Sequence, residues 1–498
     1  MWLRGKVCCN ATLTGGGKRR VVDRTGTTIT CAHSDPHKGD VIMTTGTKLT
    51  SLAVLATLLC CTTPVAAKPR VTVEKNSLGA TDGKDFAFKI NMPQPGDVSL
   101  KVYDANGKFV RLVTQKYVMD EELVASWNLK DYEDKPVAPG AYAARCEFGL
   151  RLKLDKQFGT DGLLADKAFV SPAILRLDKQ GNLYLLDTGA ATLFKFNADG
   201  TPANNWNGKN TIAAPKPPYW GGIAVEPDGS RIYLSQTMTT SHVIDVYDGK
   251  TAARLFYIGA FFGQDAEWDK EKGGIVYPHW LGLNGDNKIY SDSPGYGRVW
   301  AFDRRKEGKA VGVWQLGGRA NPRVGWDSPG DCGDTDGSKA IYMASYEYHK
   351  RAQLFKIVDE GHRGQFAYGL TRYDDPRSKK EKKDAWLNDI YGIAYDGEQG
   401  LYVVERGSAR ILKIADTGFG FDVAATFGSR GKNAAKLEFI APRSVAVSPD
   451  GTLLYVVEDG EPVSKKNTTI GQARIARYKI GYFNRTPLKV TIRPPAGK

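Results

Sequence analysis

A pattern of about fifty residues recurs six times between Pro172 and Ile480, and it constrains the fold more than any other feature of the chain. Its first copy holds three apolar runs, Ile174–Leu177, Leu183–Leu186 and Leu193–Phe196, with turns marked by Gly181 and Gly200. Each run is strand length, so one copy predicts a small antiparallel sheet. Such a sheet cannot bury both its faces alone. Further copies begin at Gly221-GIAVEPDGSRIYLSQ, His279-WLGLNGDNKIYSDS, Gly330-DCGDTDGSKAIYMAS, Tyr391-GIAYDGEQGLYVVE and Arg443-SVAVSPDGTLLYVVE. The turn glycines Gly181, Gly229, Gly285, Gly337, Gly397 and Gly451 mark the period. Four strands per repeat and six repeats predict an all-β fold, a six-bladed β-propeller, closed so that no long strand edge is left free. The sixth copy lacks a fourth strand. Leu150-RLKLDKQFG, before the first copy, has the character to supply it, with Leu488-KVTIR as a competitor.

The units P-x-G-I-A-V, D-G-x-L-Y-V and A-R-I-x-K-I resemble NHL repeats, most clearly at Pro172–Phe196, Gly221–Val246 and Tyr391–Ile414. The resemblance covers residues 150–485. It implies a propeller that serves as a binding scaffold or as an enzyme, because a fold of this kind does not fix a function. The usual Arg before strand three is present as Arg298, Arg410 and Arg474, but Thr192 and His242 replace it in copies one and two. The acid closing strand two is Asp187, Glu405 or Glu458 in three copies, and Gln236, Ser293 and Ser345 in the others.

The remaining chain divides by composition. Residues 1–42 lack apolar periodicity and read as an extension ahead of the true start at Met43. Residues 43–67, with an apolar run from Leu49 to Cys61 and a small-residue end at Val65-x-Ala67, read as a cleavable secretory signal peptide. The protein is then periplasmic or secreted. That run is too short to span a bilayer, and no later stretch could be a membrane helix. Of seven cysteines only Cys146 and Cys332 lie beyond the signal, in different predicted domains, so stability must come from a large core. Residues 68–149 alternate apolar and polar positions around Asn106-Gly107 and Pro139-Gly140 turns, which predicts a β-sandwich preceding the propeller. Its pattern V-x-L-x-V-Y-D-x-N-G-K-x-V-R-L, then W-N, then D-K-P-V-A-P-G-x-Y resembles the FlgD-like immunoglobulin-like domain, named after the flagellar hook-capping protein. That resemblance implies a spacer or adhesion module, with Trp127 in its core. Residues 486–498 read as a C-terminal tail.

The formal charge is +14, and about +9 once the leader's eight basic and three acidic residues are removed. A basic exported chain suits an anionic partner or plain solubility. Nucleic acid is excluded as a partner by the absence of any recognition motif. Long loops on the strand-two to strand-three side of the blades carry aromatic and Arg residues, which stack on sugar rings and grip carboxylates or sulfates. Trp220, Trp280, Arg298, Arg323, Trp326, Trp386 and Arg410 are the candidate ligand-binding residues, for a carbohydrate or protein ligand on this upper face.

His242, His279 and His349 fall on adjacent repeats at the same face and form a candidate metal site of imidazole ligands. The set is similar to that of the amidating-lyase relatives of the repeat family, which carry a His-bound zinc with a catalytic Tyr and Arg. That similarity implies catalytic roles for Tyr391 and Arg443. Lactonase-like hydrolysis with calcium would use Asp187, Asn388, Glu405 and Glu458. No cofactor follows with certainty; zinc or calcium belongs to the enzyme alternative. Two readings therefore stand: an exported binding or scaffold protein, and a metal-assisted propeller lyase or hydrolase.

Overall fold

A computed structural model describes residues 18–22, 28–32, 72–75, 85–158, 169–214, 220–236, 242–259, 278–293, 298–305, 310–315, 333–347, 351–361, 364–374, 384–459, 461–464, 467–471 and 473–492. The chain forms two compact units, Met1–Val65 and Ala66–Lys498. In the first, Lys18–Val22 pairs antiparallel with Thr28–Ala32, a hairpin where the sequence pattern predicts none. Both segments carry β-branched residues, which favour extended pairing.

In the second unit the first five repeats each fold into a four-stranded sheet with strands in sequence order, and the sixth joins a six-stranded sheet. Blade 1 opens with Pro172–Leu177, blade 2 with Trp220–Val225, blade 3 with Leu281–Leu283, blade 4 with Gly333–Thr335, blade 5 with Ile390–Tyr395 and blade 6 with Pro442–Val447. Each first strand lies against the next, and that of blade 6 lies against that of blade 1. The ring is closed, and the protein is a β-propeller. Five of the six turn glycines adopt positive φ, from +68° to +83°; in blade 3 Asn287 takes that role at 59°. Gly222 has a different purpose. A Cβ there would lie 1.6 Å from the carbonyl oxygen of His279, so only glycine lets blades 2 and 3 approach this closely.

The strand-two tyrosines of the D-G-x-L-Y-V unit, Tyr184, Tyr233, Tyr290, Tyr342, Tyr402 and Tyr455, are all buried between blades. Buried hydroxyls need partners. Tyr290 donates to Asp359 of the next blade at 2.6 Å and Tyr342 donates to Asp416 of the next at 2.6 Å. Lys288 and Lys356 reach the same two carboxylates, so blades 3, 4 and 5 are joined by ion pairs as well as by apolar packing.

Closure follows the first of the two sequence expectations. Gly140–Phe158 supplies the fourth strand of blade 6, pairing with Arg474–Ile492 from Ile475↔Phe158 to Tyr482↔Leu150. Both strands then run on past the propeller and continue paired from Asn484↔Phe148 to Ile492↔Gly140 inside the sandwich. The boundaries drawn at 149/150 and 485/486 are thus crossed by two continuous strands. Leu488-KVTIR does not compete for the blade; Leu488 pairs with Ala144, and Val490 and Ile492 enter the sandwich core. The pairing shifts register once, between Arg477 and Tyr478, and then holds one register from the blade into the sandwich.

The sandwich itself sets the sheet Thr72–Lys75, Phe86–Asn91 and Glu122–Trp127 against Gly96–Asp104, Phe109–Val118 and the two long strands. Phe88, Ile90, Leu100, Trp127 and Phe148 fill the space between them. Trp127 is core, as expected, with its indole N–H donating to the carbonyl of Lys130 at 2.8 Å. Cys146 is buried and free.

A buried ionic cluster fixes the sandwich to blade 5. Lys101, 3% exposed, lies 2.5 Å from Glu398 and 3.6 Å from Glu147. Tyr103 donates to Glu398 at 2.8 Å, and the amide of Leu112 donates to Gln399 at 3.0 Å. Burial alone would lower the pKa of Lys101, but Asp396, Glu398 and Glu147 outweigh it and raise it, so the ammonium stays charged. The neighbouring carboxyl of Glu147 is held below its ordinary range: burial opposes this, and Lys101, Arg145 and Arg485 prevail.

Candidate functional site

The upper rim of the channel is built by a device repeated from blade to blade. The acid that closes strand two accepts the amides leading into strand one. Asp187 takes Val170 and Ser171 at 2.8 and 2.9 Å. Asp292 takes Trp280 at 2.6 Å, Glu405 takes Asn388 at 2.9 Å, and Glu458 takes Ile440 at 2.7 Å. Asp292 does in blade 3, from one position earlier, what the sequence pattern assigned to Ser293. These carboxylates satisfy backbone donors that would otherwise be buried without partners. Asp187, Glu405 and Glu458 thus each hold the entry to a first strand, and Asn388 takes part through its backbone amide.

The same device takes up Arg410, whose guanidinium is bound to the buried Glu405. Arg410 is thereby tied to its own blade. Trp220 is 5% exposed and packs edge-on against Tyr247 at 6.4 Å. Trp280 is fully buried, under Gly282 and Gly333. A ring that is removed from solvent cannot stack on a sugar, so both tryptophans belong to the core. Arg298 opens the third strand of blade 3, paired with Ser293 and Gln315. Trp386 ends the short strand Asp384–Trp386, paired with Arg372. The side chains of these two, and the whole of Arg323 and Trp326, lie outside the described residues.

Of the three histidines, His242 is buried at the start of strand three in blade 2, and burial lowers its pKa to about 4, leaving a neutral imidazole at neutral pH. His279 precedes strand one of blade 3; its amide donates to Asp292 and its carbonyl accepts from Ser235 at 3.0 Å. His349 lies outside the described residues. Among the described residues, no group of three or more His, Cys, Asp or Glu side chains is gathered to hold a metal ion.

Tyr391 and Arg443 do meet a common structure. At the upper rim between blades 5, 6 and 1, Arg443 uses one nitrogen, Nη1, to donate to Ser171 at 2.9 Å and to Asp459 at 3.0 Å. Arg406 reaches the other oxygen of Asp459 at 3.2 Å, and its guanidinium carbon stands 4.6 Å from the centre of the Tyr391 ring. One buried carboxylate thus aligns two guanidiniums, one of them stacked on an aromatic face. Arg430 extends the group, donating to the carbonyls of Ile440 and Gly407. Burial raises the pKa of Asp389, against the pull of Arg406. Arg406, Arg430 and Asp459 escape a motif search, although Arg406 and Asp459 share a signal: each directly follows the acid that ends strand two, and so projects at the channel mouth.

At the other end of the channel, a cavity of about 600 Å³ is lined by the closing residues of all six first strands, with Lys108, Phe109 and Tyr132 of the sandwich beside it.

No family model matches the chain, and no curated protein matches it. Solved structures do resemble it. A Bacteroides thetaiotaomicron structural-genomics protein of unknown function is 14% identical, with 82% of this chain and 98% of that one covered and a TM-score of 0.46. Virginiamycin B lyase from Staphylococcus aureus is 11% identical, covering 66% and 99%, at 0.40. The WD40 repeats of RRP9 are 13% identical, covering 67% and 97%, at 0.39. Likenesses this distant carry nothing about chemistry, so function rests on the residues themselves.

Proposed function

We propose that the protein is an exported NHL-type β-propeller binding or scaffold protein that binds an anionic ligand at its upper rim, such as an acidic glycan or an acidic segment of a protein. One observation carries this reading: the Arg406–Asp459–Arg443 arrangement against Tyr391. Paired guanidiniums at fixed spacing suit a carboxylate or sulfate, and the adjacent phenol ring offers a face for a sugar. The basic balance of the chain favours approach of such a ligand. Export through residues 43–67, and an immunoglobulin-like module related to the hook-capping type, complete the proposal as an extracellular or periplasmic scaffold.

Titration of a sulfated or uronic-acid oligosaccharide into the purified protein tests it. Arg406→Gln and Arg443→Gln should each weaken binding about tenfold or more, the value of one charge-assisted contact. Asp459→Asn should strengthen binding, because it frees the guanidiniums from an internal anion. Affinity should fall as salt is raised. Binding that is unchanged in both arginine variants would refute the assignment.

A further inference from the structure

The cavity at the lower end of the channel lies apart from the upper rim, and its charges are sorted by side. Blade 1 contributes Arg176 and Lys179. Blade 4, three places round the ring and hence opposite blade 1, contributes Asp334 and Asp336. Asp396 of blade 5 also lines the space, but Lys413 is bound to it and matches its charge. One wall is thus cationic and the facing wall anionic.

The anionic wall is built, not incidental. The amide of Tyr395 donates to one oxygen of Asp334 at 2.7 Å and the amide of Thr335 to the other at 2.8 Å, which fixes the carboxylate in place. Asp336 is held by the amides of Ser338 and Ala340 at 2.8 and 3.0 Å. Burial raises the pKa of Asp334, and Arg176 acts across the space to oppose that rise. The two walls therefore share one field. At about 600 Å³ the volume falls within the range of small-ligand sites.

We propose that this chamber binds a small zwitterion, a free amino acid or short peptide whose ammonium faces Asp334 and Asp336 and whose carboxylate faces Arg176 and Lys179. A neutral sugar gains nothing from opposed charged walls. A simple anion or cation meets repulsion from one of them. Only a molecule carrying both charges, separated, satisfies both sides at once.

The test is calorimetric titration of the full chain with trialanine bearing free termini, beside N-acetylated and C-amidated trialanine. The free peptide should bind, and blocking either end should weaken binding at least about tenfold, the loss expected for one charge-assisted pair. Arg176→Gln should abolish the preference for a free carboxylate and keep the preference for a free amine. Asp334→Asn should do the reverse; Lys179→Gln, at an exposed position, should weaken the carboxylate preference without threatening the fold. Absence of binding at millimolar peptide, equal binding of free and blocked peptides, or preferences that persist in the variants would overturn the proposal. The Arg406→Gln and Arg443→Gln variants should leave this binding unchanged, which separates its failure from that of the upper-rim site.

Discussion

Asp97 is the most informative single residue for testing how the sandwich and propeller are joined. It lies in the strand Gly96–Asp104, and its carboxylate accepts the amide of Leu150 at 2.6 Å, at the point where the long strand leaves the sandwich for blade 6. It faces a cavity of about 140 Å³ lined by Tyr117, Val423 and Phe427. Burial pushes its pKa from the ordinary 3.8 up to about 6, against the lowering effect of the Leu150 amide. The folded protein therefore holds this proton at pH values where the unfolded chain has lost it. Stability from the protonated group is complete below about pH 4 and is lost as pH rises through about 6. At about 1.4 kcal/mol for each pH unit between the two values, the loss has a ceiling of about 3 kcal/mol.

Asp97→Asn removes the titration and keeps an oxygen to accept the Leu150 amide. Urea unfolding of both proteins at intervals from about pH 4 to about pH 7 isolates the effect, since other titrating groups cancel in the difference. The variant should gain on the wild type steadily across that window, reaching about 2–3 kcal/mol in its favour near neutrality. A difference that is flat with pH would show that the carboxyl is solvated. A difference favouring the wild type at neutral pH would show that the ionised form makes contacts worth more than its desolvation. Either result refutes the reasoning.

Two further substitutions probe the ring and its closure. Gly222→Ala places a methyl 1.6 Å from the His279 carbonyl oxygen, so it should force blades 2 and 3 apart and cost about 3 kcal/mol or more; an unchanged calorimetric melting temperature would reject the close-approach argument. Deleting residues 486–498 withdraws Val490 and Ile492, 1% and 6% exposed, from the sandwich. Burial of two such side chains is worth about 3–6 kcal/mol, so limited proteolysis should cut between residues 85 and 150 in the truncated protein and not in the full chain.

The architecture was legible because it is written in local, repeated signals. A turn residue with left-handed backbone, a strand-two tyrosine and an alternating apolar pattern each need only a few neighbouring residues, and six copies make them unmistakable. Even the closing strand at Leu150 was legible, because blade 6 lacked a partner. The site was read less well, for a physical reason. Trp220, Trp280 and Arg410 have the residue types of a ligand surface, yet the blades themselves require large rings between sheets and cations against buried acids. Residue type does not say whether an internal partner has already taken the side chain. Arg443 and Tyr391 stand where a first strand begins, a position the repeat marks, but the groups they meet, Arg406 and Asp459, come from positions whose importance depends on strand two ending where it does.

The continuous strands change what the sandwich is. A domain attached by a flexible linker would move freely relative to the propeller. Here the strands Gly140–Phe158 and Arg474–Ile492 pass through both layers while paired to each other, and Lys101 is buried against Glu398 on blade 5. Breaking that buried pair by removing one partner costs about 3–5 kcal/mol, so the sandwich cannot swing away from blade 5 at thermal energies. Its Lys108 and Tyr132 are consequently held beside the lower chamber as permanently as the blade residues are. The upper rim has no such cover among the described residues, and its arginines stand at the open mouth between blades 5, 6 and 1. The two ends of the channel thus differ in kind: one is a recess whose walls are fixed by two domains, suited to a small molecule of defined charge, and the other is a surface suited to part of a larger anion.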